Sequence, residues 1–232
     1  MPSRREADQD VTLTPLDIVA KNGQQPDFLG HTGLARDAAA QRRDAVPVYH
    51  MGPPLEVDGH MPADVVGSAG LSVGETARLR DFIARHAGEH AAAAQTFRNL
   101  RRQRTIRELL ELLPQLYCIY PHAEPFYEAD DRYPRMRFSC AGFVFEAYRE
   151  ARIPLFDESQ LPPIDLARIK KAYPRFAKYL DDLDFRQKMG LKSGDQWPVM
   201  LCGYLLQATN RENAAIRQGE YSPREGDENF IA

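Results

Sequence analysis

Cysteine is scarce in this 232-residue chain, limited to Cys118, Cys140 and Cys202. An odd number at wide spacing argues against a disulfide framework and a multi-cysteine zinc site, so reduced thiols are expected. Long hydrophobic runs are also missing. No stretch approaches the roughly 18 apolar residues that a membrane-spanning helix needs; even the run from Trp197 to Leu206 is followed at once by Gln207, Asn210 and Arg211. The opening Met1-Pro2-Ser3-Arg4-Arg5 leads into acidic and polar residues without the apolar core of a secretory signal, so no classical export is expected. No basic excess exists either: the formal charge is -3, which removes nucleic acid from the expected partners. Internal repeats and low-complexity tracts are absent. What remains is 43% hydrophobic residues, enough for a sizeable core in one domain with an appendage or in two small ones.

Residues 1 to 10 are charged and aperiodic and read as a loose tail. Three strand candidates follow, Asp17 to Ala20, Phe28 to Ala35 and Pro47 to Met51, with Arg36 to Asp44 as a hairpin loop. After a loop from Gly52 to Gly70, Ser72 with Glu75 three residues on predicts a capped helix carrying Leu79, Phe82 and Ile83 on one stripe. Gln95 to Leu113 predicts one or two further amphipathic helices, stopped by Pro114. The segment 115 to 137 has no clean period and reads as strand and loop. From Ser139, the spacing of Phe143, Val144, Ala147, Tyr148 and Ala151 predicts a helix with one buried face, ending before Pro154. Residues 160 to 232 read as mostly helical.

Cys140 carries the chemical argument. A cysteine is a good nucleophile only as a thiolate, and unpaired N–H groups at a helix start favour that form. With Ser139 as N-cap, Cys140 falls in the first turn, where its own N–H could also hold an oxyanion. The competing reading of a free cysteine is an inert buried thiol. A reactive thiol needs a base, and His31 and His50 lie on successive strands of the same hairpin, where they could face one site. Taken singly, each reads more simply as a hydrogen-bonded structural histidine. As a pair, one can serve as base while the other fixes its tautomer.

Four segments in this order resemble the circularly permuted branch of the NlpC/P60 papain-like superfamily, which includes the lecithin retinol acyltransferase-like proteins. Pro15-Leu16-Asp17-Ile18-Val19 resembles the opening strand and Gly30-His31-Thr32-Gly33-Leu34-Ala35 the histidine strand. Val48-Tyr49-His50-Met51-Gly52-Pro53-Pro54 resembles the next strand, and Phe138-Ser139-Cys140-Ala141-Gly142-Phe143-Val144 the nucleophile helix. The resemblance implies Cys140 as nucleophile, His31 as base and His50 as orienting residue. It also implies an α+β papain-like core over residues 11–158, in which a small antiparallel sheet packs on the nucleophile helix. A helical insert over about 72–113 and a helical C-terminal extension over 159–232 would complete the chain. The implied activity is a cysteine peptidase or amidase without a cofactor or metal, acting on a peptide and most readily on a bacterial cell-wall (peptidoglycan) peptide. An antibacterial effector of this kind would be made in the cytoplasm, pass to a target periplasm by a signal-independent system, and meet an immunity or secretion partner. Acyl transfer or phospholipid hydrolysis on the same fold, and a catalytically inactive binding protein, are the alternatives.

Other motifs compete. His86-Ala87-Gly88-Glu89-His90 spells the inverted zinc-peptidase signature, in which two histidines four apart on a helix chelate zinc and the glutamate acts as base. The simpler reading is a solvated helix end. Cys118 and His122 are close in sequence but would lie about 13 Å apart on an extended strand, which favours packing over a dyad. Cys202, in an apolar run, reads as a core thiol. The arginines 98, 101, 102, 104 and 107 read as a solvated helix face, with an anionic surface as the alternative partner.

Overall fold

A computed structural model describes residues 11–23, 28–37, 39–41, 43–127 and 135–230. The expected tail at 1–10 lies outside the described residues. The chain is a mixed α+β protein whose first third is β-structure: β1 (Val11–Leu13), β2 (Ile18–Asn22), β3 (Leu29–Ala35), β4 (Ala39–Gln41), β5 (Val46–Met51), β6 (Leu55–Met61) and β7 (Val65–Gly67). Five of these form an antiparallel sheet in the order β6-β5-β3-β2-β7, while β1 pairs with β4 in a separate ribbon. Two expected loops are therefore corrected. Residues 39–41 inside the expected 36–44 loop pair with 11–13, and the expected 52–70 loop supplies β6 and β7. The β6 sequence alternates Leu55, Val57, Gly59 and Met61 with polar residues, and pairing with β5 satisfies its backbone groups.

The first helix, α1 (Val73–Leu100), starts with the capping box expected at Ser72. Its hydroxyl accepts from the Glu75 N–H, and the Glu75 carboxylate accepts from the Ser72 N–H at 2.7 Å. The helix runs unbroken through Gly88 and absorbs the first six residues of the segment expected to start at Gln95. A second box, Thr105 with Glu108, begins α2 (Ile106–Leu112). A hairpin of β8 (Ala123–Phe126) and β9 (Arg135–Phe138) leads into α3 (Cys140–Glu150). The remaining elements are β10 (Ile164–Asp165), α4 (Leu166–Ala172), α5 (Leu183–Lys188), β11 (Gln196–Trp197), α6 (Cys202–Thr209) and α7 (Asn213–Gln218), with β10 paired to β11. Seven α-helices are thus present among the described residues. None is long and apolar enough to cross a membrane.

The helix at the centre is α3. Every residue from Cys140 to Tyr148 is buried, so the expected single buried face is corrected to burial all round. The sheet strands β3 and β5, helix α1 and helix α6 surround it. Phe143, Val144 and Tyr148 are wholly enclosed, and the Tyr148 hydroxyl is satisfied by the Leu16 carbonyl at 2.9 Å. Each such side chain contributes about 1.5–3 kcal/mol through burial. Helix α6 packs on α3 and on β2, β3 and β7, so residues from the last part of the chain close the core over the sheet. This packing fixes the start of α3 against the strands.

Candidate functional site

Cys140 is the first residue of α3. Ser139 caps it: the buried Ser139 hydroxyl accepts from the Gly142 N–H at 2.9 Å, while its own N–H donates to the His122 carbonyl at 2.9 Å. Gly142 is required by that approach, because a Cβ there would overlap the His122 carbonyl. The helix start is thereby pinned to the chain that precedes β8, with Cys140 in its first turn, where the helix dipole is positive.

The structure brings His31, His50 and Cys140 together. His31 Nε2 and His50 Nδ1 are 2.8 Å apart, and His50 Nε2 lies 3.5 Å from a Glu56 carboxylate oxygen. His50 and Glu56 are cross-strand partners, and the register of β5 against β6 shifts between Val48 and His50. Such irregularities re-aim side chains beside functional sites. The contacts define one consistent proton arrangement. A proton on His50 Nε2 faces Glu56, so Nδ1 of His50 accepts from the Nε2–H of His31. Nδ1 of His31 is then the nitrogen left for the Cys140 thiol, with which the ring is hydrogen-bonded. Gly59 belongs to the same arrangement, because a side chain there would overlap the His50 ring.

The electrostatics favour a thiolate. The Cys140 thiol is held well below its ordinary value, first by a hydrogen bond with Cys202, against the effect of burial, and then by His31 and Tyr117. The two sulfurs are 4.0 Å apart. Cys202 is pushed well up by its contact with Cys140 and by burial, and either sulfur can donate across the contact. Burial pushes His31 below the usual imidazole value, opposed by its bond to Cys140. That keeps the ring neutral and able to accept a proton. Tyr117 is pushed well up, chiefly by burial and then by the charge of Cys140, and its oxygen meets the Cys140 N–H. Tyr173 is raised likewise by burial and hydrogen-bonds to Ser139.

A cleft of about 240 Å3 opens onto the sulfur. His31, Met51 and Gly52 form part of one wall, and Tyr117, Tyr173 and Phe176 part of another.

The remaining candidates do other things. His86 and His90 are buried on α1 against Phe138, which corrects the expected solvated helix end. His86 Nδ1 is engaged by Glu89 at 2.7 Å and His90 Nε2 by the Met136 carbonyl at 2.7 Å. Among the described residues no group of three or more His, Cys, Asp or Glu side chains is placed to hold a metal ion. His122 pairs with Glu146 at 3.0 Å and Glu158 at 3.1 Å, and the Cys118 thiol donates to the Pro121 carbonyl at 3.1 Å, so these two form no dyad. Cys202 is buried as expected, and it also touches Cys140.

Compared with protein-family models, curated proteins and solved structures, the chain matches none.

Glu56, Tyr117, Tyr173 and Cys202 belong to the site without having been legible as part of it. Glu56 had a signal, since the alternation from Leu55 to Met61 could have placed it on a strand beside His50. Nothing local marks Tyr117 or Cys202, which reach the site through tertiary packing alone.

Proposed function

We propose that the chain is a cysteine hydrolase of the permuted NlpC/P60 papain-like kind, cleaving an amide bond in a peptide, with bacterial cell-wall peptide as the substrate class. The observation that carries this reading is the 2.8 Å contact of His31 with His50, beside a thiol at the capped start of a buried helix.

In the first half-reaction, Nδ1 of His31 takes the proton of Cys140 and the thiolate attacks the scissile carbonyl carbon. The carbonyl oxygen becomes an oxyanion, which takes the place of the Tyr117 oxygen as the acceptor of the Cys140 N–H; such a donor is worth about 2.7–4 kcal/mol in the transition state. The tetrahedral intermediate collapses as His31 returns the proton to the departing nitrogen, leaving a thioester. In the second, His31 deprotonates a water, which attacks the thioester; the carboxylate departs and the thiol regains its proton. His50 holds the His31 ring in the tautomer that both halves need.

Digestion of purified peptidoglycan peptides tests this reading, with products separated by mass. New amino and carboxyl ends are expected with the unsubstituted protein and none with Cys140→Ala. Sent to the periplasm of a bacterial host by an added signal, the protein is expected to lyse cells, and Cys140→Ala is not. Fatty-acid release from phospholipid with no peptide cleavage would overturn the peptide substrate in favour of acyl chemistry on lipid.

A further inference from the structure

One nucleophilic group beside the reactive sulfur forms no bond in the hydrolytic steps. Cys202 lies 4.0 Å from Cys140, sulfur to sulfur, and both are free thiols. The two residues hold the same position in two packed helices: Cys140 is the first residue of α3 and Cys202 the first of α6. Their sulfurs therefore meet where two helix starts come together, a setting that favours the thiolate form of each. No side chain caps α6, whose N-cap is Leu201, and the Cys202 sulfur meets its own backbone N–H.

Access orders the two. Cys140 lines the cleft, whereas Cys202 stands behind it, off the cleft wall. Both are buried, so a small reagent that enters by the cleft meets Cys140 first and a bulky one meets neither. Closing the gap to the roughly 2.05 Å of a disulfide needs an approach of about 2 Å, which turns of both side chains about their Cα–Cβ bonds share. The third cysteine is held elsewhere: the Cys118 thiol donates to the Pro121 carbonyl at 3.1 Å and lies 3.5 Å from the Arg137 carbonyl, and burial pushes it far up. A protonated thiol of that kind is inert to oxidation.

We propose that Cys140 and Cys202 form an oxidisable pair, in which hydrogen peroxide acting on Cys140 leads to a disulfide that reversibly blocks the nucleophile. The link needs only the two thiols; that it stops catalysis rests on the cysteine hydrolase reading. The Cys140 thiolate attacks one peroxide oxygen: an S–O bond forms, the O–O bond breaks, and the departing hydroxide takes up the proton that His31 had received from Cys140. The Cys140 sulfur is then a neutral sulfenic acid. Contact with Cys140 does most to push Cys202 upward, so loss of the thiolate frees Cys202 to ionise. The Cys202 sulfur attacks that of Cys140, the S–S bond forms, the S–O bond breaks, and hydroxide leaves as water with the Cys202 proton. Two thiols and one peroxide thus give one disulfide and two waters. Oxidation stops there, short of the irreversible sulfinic acid.

The test treats the full chain, reduced and then freed of reductant, with excess hydrogen peroxide at neutral pH and maps its cysteines by mass without reduction. A peptide pair joined through Cys140 and Cys202 is expected, with Cys118 still a free thiol. Iodoacetamide labelling of Cys140 is expected to be lost and to return in full with dithiothreitol. In Cys202→Ala the same treatment should carry Cys140 to sulfinic acid, and dithiothreitol should no longer restore labelling. Cys202→Ser repeats the comparison with a side chain of nearly the same shape, and thermal unfolding verifies that both variants are folded. Sulfinic acid on Cys140 of the unsubstituted protein without the link would overturn the pair, as would a link from Cys140 to Cys118 or to a second chain. Full recovery in both variants, or Cys140 left reduced by peroxide that oxidises free cysteine, would overturn it too. Peptide hydrolysis separates the two readings. A reduced protein that forms the link and cleaves no peptide overturns the hydrolase reading alone; one that cleaves peptide and forms no link overturns the oxidisable pair alone.

Discussion

His31 and His50 meet edge to face, their ring planes at 90° and centroids 4.9 Å apart, joined by a 2.8 Å bond between Nε2 and Nδ1. An imidazole held this way cannot rotate without breaking the bond, so the nitrogen turned toward Cys140 is fixed. The orienting group is a second imidazole, steadied in turn by Glu56, whose carboxyl is held below its usual value by the hydrogen bond to His50.

From that chain of contacts, His31→Ala is expected to lower kcat by about 10²–10⁴, the usual worth of a positioned acid–base group. His50→Ala should cost about a tenth of that factor, and Glu56→Gln only a few-fold, since its contact is 3.5 Å and its side chain is 37% exposed. Peptide hydrolysis rates check the order; a His50→Ala loss equal to that of His31→Ala would mean that His50 does more than orient.

The Cys202 thiol is expected to help hold Cys140 as a thiolate. A thiol whose pKa is depressed reacts at lower pH, so alkylation of Cys140 should reach half its maximum below the ordinary thiol value of about 8.5. Cys202→Ala removes the hydrogen bond that does most to lower the Cys140 thiol and should move that midpoint upward. An unmoved midpoint would leave His31 and Tyr117 as its support.

Ser139→Ala should destabilise the fold by about 1–2 kcal/mol, because the lost hydroxyl caps α3 and is wholly buried. Urea unfolding measures this. Cys140 alkylation should slow in the same variant as the helix start loosens.

A separate acid-labile contact holds α1 to the last helix. Arg217 and Glu75 pair at 2.9 Å, and this guanidinium first, then the N-cap bonds, hold the Glu75 carboxyl down at about 2. A depressed carboxyl stabilises the fold above its ordinary range, about 4.5, and loses that contribution as pH falls toward about 2. Glu75→Gln should therefore cost about 1 kcal/mol at neutral pH, after allowance for solvent screening of the Arg217 side, and little near pH 2. Thermal unfolding across that range tests the sign.

The start of α3 was legible in the sequence because a polar cap precedes apolar residues at helical spacing, a pattern that depends only on neighbours. The His31 and His50 strands were legible for the same reason. Strand β6 was hidden: Pro53-Pro54 and Gly59 read as loop, whereas Gly59 is small to make room for the His50 ring. Strand β4 was hidden too, since Ala39-Ala40-Gln41 has no alternation to show. The signature on α1 misled about its surroundings. Its spacing does place His86 and His90 on one face, but that face is packed against Phe138, a neighbour 48 residues beyond His90 in the chain. Cys202 could be read as buried from its apolar run, but not as a partner of Cys140, since contact across 62 residues is set by how α6 closes over α3.

Mass mapping of cysteine alkylation by iodoacetamide at pH 6 tests the nucleophile most directly. Cys140 is expected to label far faster than free cysteine, with Cys118 and Cys202 nearly inert, and His31→Ala is expected to abolish much of the advantage. Labelling of Cys140 no faster than free cysteine in the folded protein would contradict the assignment of an activated thiol.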